Sequence, residues 1–213
     1  AGGTREPIDP VRFVGNRSSG KQGHAIAEEA VARGAKVTLV TTASLAVPPG
    51  VDVIRVETAA EMARAVLSHS DAMDVVVMAA AVADFRPVQP ATSKIKKAAG
   101  PPELVLEPTE DILAALGARR RPGQVLVGFA AETDDLRSNA GGKLTRKGVD
   151  LIVANDVSAP GVGFEHDTNA VVILGADGST REIPLTDKRA VARAVLDAVV
   201  DSPDPSPSKE TSQ

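Results

Sequence analysis

The chain has 213 residues, and its 24 Lys and Arg against 28 Asp and Glu give a net charge of −4, which offers no electrostatic case for nucleic-acid binding. With no cysteine, disulfides and thiolate metal sites are excluded and a reducing cytoplasm is the expected home. No apolar run approaches the ~20 residues of a membrane-spanning helix, so no membrane association is expected, and four Phe with no Tyr or Trp leave the core to Val, Ala, Leu and Ile.

The chain opens without Met on Gly2-Gly3-Thr4, which we read as the start of a piece of a longer polypeptide. An apolar run at 11–14 leads into Asn16-Arg17-Ser18-Ser19-Gly20-Lys21-Gln22-Gly23 and then into a helix predicted over 20–33, stopped by Gly34. Small residues ahead of a helix let backbone approach a phosphate, with the first free N–H groups and the helix dipole aimed at the charge. Two familiar phosphate loops almost fit. Gly15-x-x-x-x-Gly20-Lys21 has Gln22 where a Walker A loop needs a hydroxyl for Mg²⁺. Ser18-x-Gly20-x-x-Gly23 lacks the first glycine of the dinucleotide fingerprint, and the next strand ends in Thr41-Thr42 instead of a ribose-binding acid. The turn therefore reads either as the phosphate-binding turn for a nucleotide other than NAD or as a strand-to-helix turn in which Gly20 and Gly23 only allow tight packing.

Strands are predicted at 36–41 and 51–56, a helix at 59–68, and a continuous apolar run at 74–79 suits a central strand. Strand 104–106, helix 110–118, strand 125–130, helix 134–147 and strand 150–154 continue the alternation, which gives right-handed crossovers. Runs at 170–174 and 181–185 flank Asp177-Gly178, a hairpin signal. A final helix is expected over 187–200, with Leu185 and Val191 as a hydrophobic staple, and residues 202–213 read as a disordered tail. The fold class is α/β: a three-layer, Rossmann-like, doubly wound, mostly parallel sheet with an antiparallel hairpin near the C-terminus, taken as one domain over 1–201.

Ligands of such sheets bind outside the carboxyl ends of the strands. Asn16, Asp84, Phe129 and Asn155 are each expected at or just past a strand end. Lys94-Ile95-Lys96-Lys97, in a long polar loop, supplies mobile point charges suited to phosphates. Lys143 and Lys147 share a helix face, where they either clamp an anion or pair with Asp135 or Asp150. Asp84 and Asp111 suit a Mg²⁺ ion or a ribose or base contact. His24, His69 and His166 lack ligand spacing and read as surface or capping residues, and no Gly-x-Ser-x-Gly elbow occurs.

These motifs, taken with Gly2-Gly3-Thr4-Arg5-Glu6-Pro7-Ile8-Asp9-Pro10-Val11-Arg12, the segment from Ala79 to Asp84, Val127-Gly128-Phe129-Ala130-Ala131-Glu132-Thr133 and Ala154-Asn155-Asp156, resemble phosphopantothenoylcysteine synthetase in order and over nearly the whole chain. The resemblance implies a ligase of coenzyme A biosynthesis, in which CTP activates 4′-phosphopantothenate as an acyl-cytidylate and cysteine then displaces CMP. It implies Asn16, Arg12 and Lys94 as catalytic. Ser19, Gly20, Ala79, Ala80, Asp84, Lys94, Asp111, Ile112, Phe129, Lys143 and Lys147 would line the CTP site, and Asn16 and Ala81 would contact phosphopantothenate. Mg²⁺ or Mn²⁺ is implied with Asp84 as its candidate ligand, together with a homodimer whose site is shared across subunits. FMN is implied only in a preceding decarboxylase domain. Gly3 stands where a proline is common, loosening the first turn, and Thr109-Glu110-Asp111-Ile112 replaces a frequent Asn-Pro-Asp-Ile. The competing expectation is a non-catalytic Rossmann-like regulatory domain that senses CTP or NAD.

Overall fold

Short β-rich runs alternate with helices throughout the structure, a computed structural model that describes residues 1–132, 136–156 and 166–202. In chain order these are β1 (Arg5–Pro7), β2 (Phe13–Gly15), α1 (Lys21–Ala32), β3 (Val37–Thr41), β4 (Val51–Arg55), α2 (Ala59–Ser70), β5 (Val75–Met78) and β6 (Phe85–Pro87). There follow β7 (Leu106–Pro108), α3 (Ile112–Ala118), β8 (Val125–Glu132), α4 (Leu136–Lys147), β9 (Leu151–Asp156), β10 (Thr168–Gly175), β11 (Thr180–Asp187) and α5 (Lys188–Asp201). Two units result: the first holds Ala1–Val66, Ala79–Ile112 and 166–167, the second Leu67–Met78 and the described residues among 113–156 and 168–202.

In the first unit β1 pairs antiparallel with β2, β6 antiparallel with β7, and β3 parallel with β4. Helix α1 ends as its sequence dictates. Gly34 takes φ 88°, its N–H reaches the Val31 carbonyl at 2.8 Å and Ala35 N–H reaches Ala30 at 3.0 Å, a Schellman stop. Helix α2 starts on a capping box: Glu61 N–H donates to Thr58 Oγ1 (3.2 Å), and the Glu61 carboxylate accepts from Glu57 and Thr58 N–H (2.7 and 3.2 Å). Buried Glu6, from β1, accepts the Ala59 N–H at 2.8 Å and satisfies another free donor of that helix end.

The second unit is built on one five-stranded sheet ordered β11-β10-β9-β8-β5. β5, β8 and β9 are parallel, while β10 and β11 return antiparallel as the Asp177-Gly178 hairpin, with Gly178 at φ 86°. Strand β8 is buried on both faces, as a parallel central strand must be, with Leu126 and Val127 fully inaccessible. Helix α5 lays Val191 and Val195, one turn apart, against Val127, Leu151, Val153, Val171 and Ile173. Each such fully buried aliphatic side chain is worth about 1.5–3 kcal/mol.

The α/β class and the C-terminal hairpin are as expected, whereas the five-stranded sheet is mixed, with β5–β8 and β8–β9 parallel and β9–β10 and β10–β11 antiparallel, and several details differ. The apolar run at 74–79 forms the end strand of its sheet, hydrogen-bonded to β8, because hydrophobicity marks burial without fixing strand order. Strands β1 and β6 were not anticipated: three-residue strands holding Pro7 or Pro87 carry no alternation to read. The strand expected at 104–106 lies at Leu106–Pro108, with Leu104 and Val105 exposed. The expected staple is absent, since Leu185 is 54% exposed; Asp187 caps α5 by accepting the Ala190 N–H at 2.8 Å. The long polar loop expected to carry Lys94 to Lys97 follows β6 and contains a 3-10 turn at Lys97–Ala99. No helix among the described residues is long and apolar enough to cross a membrane. Thr133, Asp134, Asp135 and the tail at 203–213 lie outside the described residues.

Candidate functional site

In the first unit the turn before α1 is held by backbone packing. Gly20, the N-cap of α1, takes φ 80° and ψ −5° with no side-chain cap, and a Cβ there would lie 2.7 Å from Ala43 Cβ. Only glycine fits this left-handed position without displacing its neighbours. Ser19 Oγ accepts weakly from Lys21 N–H at 3.5 Å, and Lys21 Nζ pairs with Asp167 at 2.6 Å. Lys21 is thus engaged where a Walker lysine would reach for phosphate, in keeping with Gln22 at the next position. His24 donates from Nδ1 to the Gly20 carbonyl at 3.0 Å; of the surface or capping roles expected for the histidines, burial excludes the surface one for His24, and that burial lowers its pKa.

The segment carrying Ala79, Ala80 and Ala81 lies beside the chain start. Gly3 bridges Ala81 in parallel, Ala81 N–H donates to the Gly2 carbonyl (2.9 Å) and Thr4 N–H to the Ala81 carbonyl (3.2 Å). Buried Thr4 accepts the Ala83 N–H on Oγ1 at 2.8 Å. Asn16 closes the arrangement: its Nδ2 donates to the Val82 carbonyl at 3.1 Å and more weakly to Ala81 at 3.4 Å. Asn16 and Ala81, the two expected phosphopantothenate contacts, are therefore neighbours. Gly3 is pinned, contrary to the loosening expected, because a Cβ there would approach the Asn16 carbonyl to 2.5 Å.

Asp84 is exposed and sits just ahead of β6, six residues past β5, with its carbonyl accepting Thr109 N–H at 2.9 Å. Asp111 is exposed and Ile112, its neighbour at the start of α3, is buried. No group of three or more His, Cys, Asp or Glu that could hold a metal occurs among the described residues. An exposed carboxylate such as Asp84 still fits Mg²⁺, which commonly takes one or two carboxylates with the remaining ligands from substrate phosphates and water.

Lys94, Lys96 and Lys97 are exposed, and Ile95 between them is half-buried. Arg12 reaches this loop, donating from Nη2 to the Ile95 carbonyl at 2.9 Å while its Nε holds Asp9 Oδ2 at 2.9 Å. Asp9 was not singled out from the sequence. Its signal was available: Asp followed by Pro and, three residues on, Arg favours a side chain that folds back onto its own turn.

The second unit holds the other four candidates, Phe129, Asn155, Lys143 and Lys147. Phe129 lies within β8, paired with Val153 of β9 and packed on the hydrophobic core, and Asn155 is buried within β9; the strands run further than expected, so neither lies past a strand end. Lys143 and Lys147 are half-buried on α4. Asp150, one of their expected partners, is bound by Arg120 at 2.9 Å and accepts Leu126 N–H at 2.8 Å. Asp135, the other, lies outside the described residues. The end of α3 meets the end of α4, where a Cβ on Gly117 would fall 1.8 Å from the Lys147 carbonyl oxygen.

Comparison with known proteins places this geometry. Residues 1–202 match the family described as the DNA/pantothenate metabolism flavoprotein C-terminal domain. The chain is 50% identical over 212 residues to the coenzyme A biosynthesis bifunctional protein CoaBC of Mycobacterium tuberculosis, covering 94% of the chain and 50% of that protein. It spans about half the length of the curated relatives it matches. A crystal structure of the C-terminal domain of a CoaBC protein superposes with a TM-score of 0.78 at 42% identity, over 93% of this chain and 90% of that one. A Cab2 mutant in complex with phosphopantothenate-cysteine shares the fold, with a TM-score of 0.77 at 18% identity, over 94% and 83% of the two chains. The chain belongs to the DNA/pantothenate metabolism flavoprotein C-terminal domain family.

Proposed function

We propose that this member of the family is the phosphopantothenate–cysteine ligase of coenzyme A biosynthesis, using CTP. One observation carries the reading beyond family membership. Within a single unit, a nucleotide-type turn at Ser18 to Gly20, an Asn16 hydrogen-bonded to the Ala81 and Val82 carbonyls, and an Arg12 tied to the backbone beside Lys94 occur together. Each matches a motif of the resemblance, and a generic nucleotide sensor has no need of the last two.

In the first half-reaction the phosphopantothenate carboxylate attacks the α-phosphorus of CTP, forming the acyl–phosphate bond while the bond to the β-phosphate breaks and pyrophosphate leaves. In the second, the cysteine amine attacks the activated carbonyl, the C–O bond to CMP breaks, and the amine proton is lost. Ser19 and Gly20 suit the phosphates through backbone N–H groups, and Lys94 supplies positive charge to the separating pyrophosphate. Asn16 and Ala81 hold the acyl group. Ala79, Ala80, Asp84, Asp111 and Ile112 are proposed contacts to the rest of the nucleotide, and Phe129, Lys143 and Lys147 carry a nucleotide role only as the resemblance implies it. Mg²⁺ or Mn²⁺, with Asp84 as protein ligand, would neutralise phosphate charge.

Residues 1–201 constitute the ligase domain in this proposal, followed by the tail at 202–213, in a cytoplasmic protein. FMN belongs only to a preceding decarboxylase domain of a longer parent. A homodimer is proposed because the first unit exposes Val11, Phe13, Phe85, Val88 and Val105, each at least 44% accessible, which a second copy would cover. The deciding experiment supplies CTP, Mg²⁺, phosphopantothenate and cysteine and follows pyrophosphate and CMP. Release that requires phosphopantothenate supports the ligase; nucleotide binding without turnover leaves the regulatory alternative.

A further inference from the structure

The loop carrying Lys94 is tied to the turn at residues 8–12, and one buried carboxylate organises the tie. Asp9 is 3% exposed, and its two oxygens divide their work. Oδ1 accepts the N–H groups of Val11 and Arg12, both at 2.9 Å, which closes the local turn. Oδ2 accepts Arg12 Nε at 2.9 Å, Arg12 Nη2, and the Ile95 N–H at 3.1 Å, 86 residues away. Arg12 Nη2 donates in turn to the Ile95 carbonyl at 2.9 Å. The ion pair thus holds both backbone groups of Ile95, and a further bond from Ala91 N–H to the Ile8 carbonyl at 2.8 Å fastens the same loop to the same turn.

We propose that Asp9 is the positioning residue for Lys94, locking the peptide beside it so that the lysine side chain projects from a fixed base while it remains exposed. A lysine has about 2 kcal/mol of rotamer entropy in its own stem, and a mobile backbone beneath it would add to what must be frozen when phosphate is bound. The Arg12 guanidinium, helped by the N–H groups of Val11, Ile95 and Arg12 and opposed by burial, holds the Asp9 carboxyl well below the usual carboxylate range, so the anchor stays charged throughout the physiological range. Arg12, on this reading, acts at least in part through the loop.

The proposal rests on the ligase reading for its catalytic consequence but not for its structural one, and the test separates them. Asp9→Asn keeps a carbonyl oxygen for Val11 and Arg12 N–H but turns an amide N–H₂ towards three donors, so it spares the turn and breaks the tie. Expected are faster tryptic cleavage after Lys94, Lys96 and Lys97, by about tenfold, and a loss of roughly tenfold to a hundredfold in kcat for pyrophosphate release with KM for cysteine unchanged. Cleavage and kcat like those of the unmodified protein would overturn the proposal; faster cleavage with unchanged kcat would overturn the catalytic part. Should the unmodified protein release no pyrophosphate, the ligase reading fails and the cleavage arm still reads the tie. A variant-free measurement guards against misfolding: the Ile95 amide should exchange with solvent at least about tenfold more slowly than those of Lys94 and Lys96, and exchange at their rate would refute the anchor.

Discussion

Replacing Gly117 with Ala separates what the sequence suggests from what the structure demands. In a helix an Ala is worth about 1 kcal/mol over Gly, so Gly117 near the end of α3 looks like a site to stabilise. The structure reverses the sign. A Cβ at Gly117 would stand 1.8 Å from the Lys147 carbonyl oxygen and 2.9 Å from its carbonyl carbon. Ordinary carbon–oxygen approach is about 3.3–3.6 Å, so the two helix ends must separate by roughly 1.5 Å, and the obstacle is backbone that no rotamer change can move. Overpacking of this kind costs about 1–3 kcal/mol, and a backbone obstacle puts the cost at the upper end. Setting ~3 kcal/mol against ~1 kcal/mol of helix gain leaves a net loss of about 2 kcal/mol. For a chain of this size that lowers the unfolding midpoint by roughly 4–8 °C. Thermal and urea unfolding should be compared with Gly123→Ala, whose φ of 77° strains the substitution but where nothing lies within 4 Å; that control should lose only about 1 kcal/mol. A Gly117→Ala protein as stable as the parent would refute the close approach.

Three further predictions follow the proposed chemistry and the buried histidine. Lys94→Ala should reduce pyrophosphate release from CTP and phosphopantothenate by about a hundredfold or more; near-parental release would remove Lys94 from the mechanism. Asn16→Asp replaces a donor facing the Ala81 and Val82 carbonyls with an acceptor, and should still form the acyl-cytidylate while transferring it slowly to cysteine; rapid-quench measurement of both half-reactions checks this, and equal loss in each counts against it. Burial lowers the His24 pKa below its ordinary 6.5, so on acidification the unfolded chain takes the proton first. His24 therefore contributes stability above 6.5 that is lost as pH falls through that value towards the folded one. The melting temperature should drop more between about pH 7.5 and about pH 5.5 in the parent than in His24→Phe; parallel curves would exclude the effect.

How much of this was legible in the sequence depended on range. Helix α1, with its Gly20 entry and Gly34 stop, announces itself because caps act over three or four residues, whereas the equally local Thr58–Glu61 capping box of α2 was not singled out. The hairpin at Asp177-Gly178 is similarly local. Strands β1 and β6 went unseen because they are short, contain proline and exist only through their partners. The phosphate-type turn, the lysine run and the 79–84 segment were readable as motifs, whereas Asp9 was passed over although it ties the lysine run to the turn at residues 9–12.

The sequence by itself determined the α/β class, the positions of most elements and the family, since periodicity, turn chemistry and motif order are properties of neighbouring residues. Only the tertiary structure decided that the 74–79 run ends its sheet, that Gly117 has no room for a methyl group, and that Asp9 reaches Ile95 across 86 residues. Those facts depend on where distant backbone lies. A carboxylate or a glycine reads the same in a loop or a core until the fold brings its partners within about 3 Å.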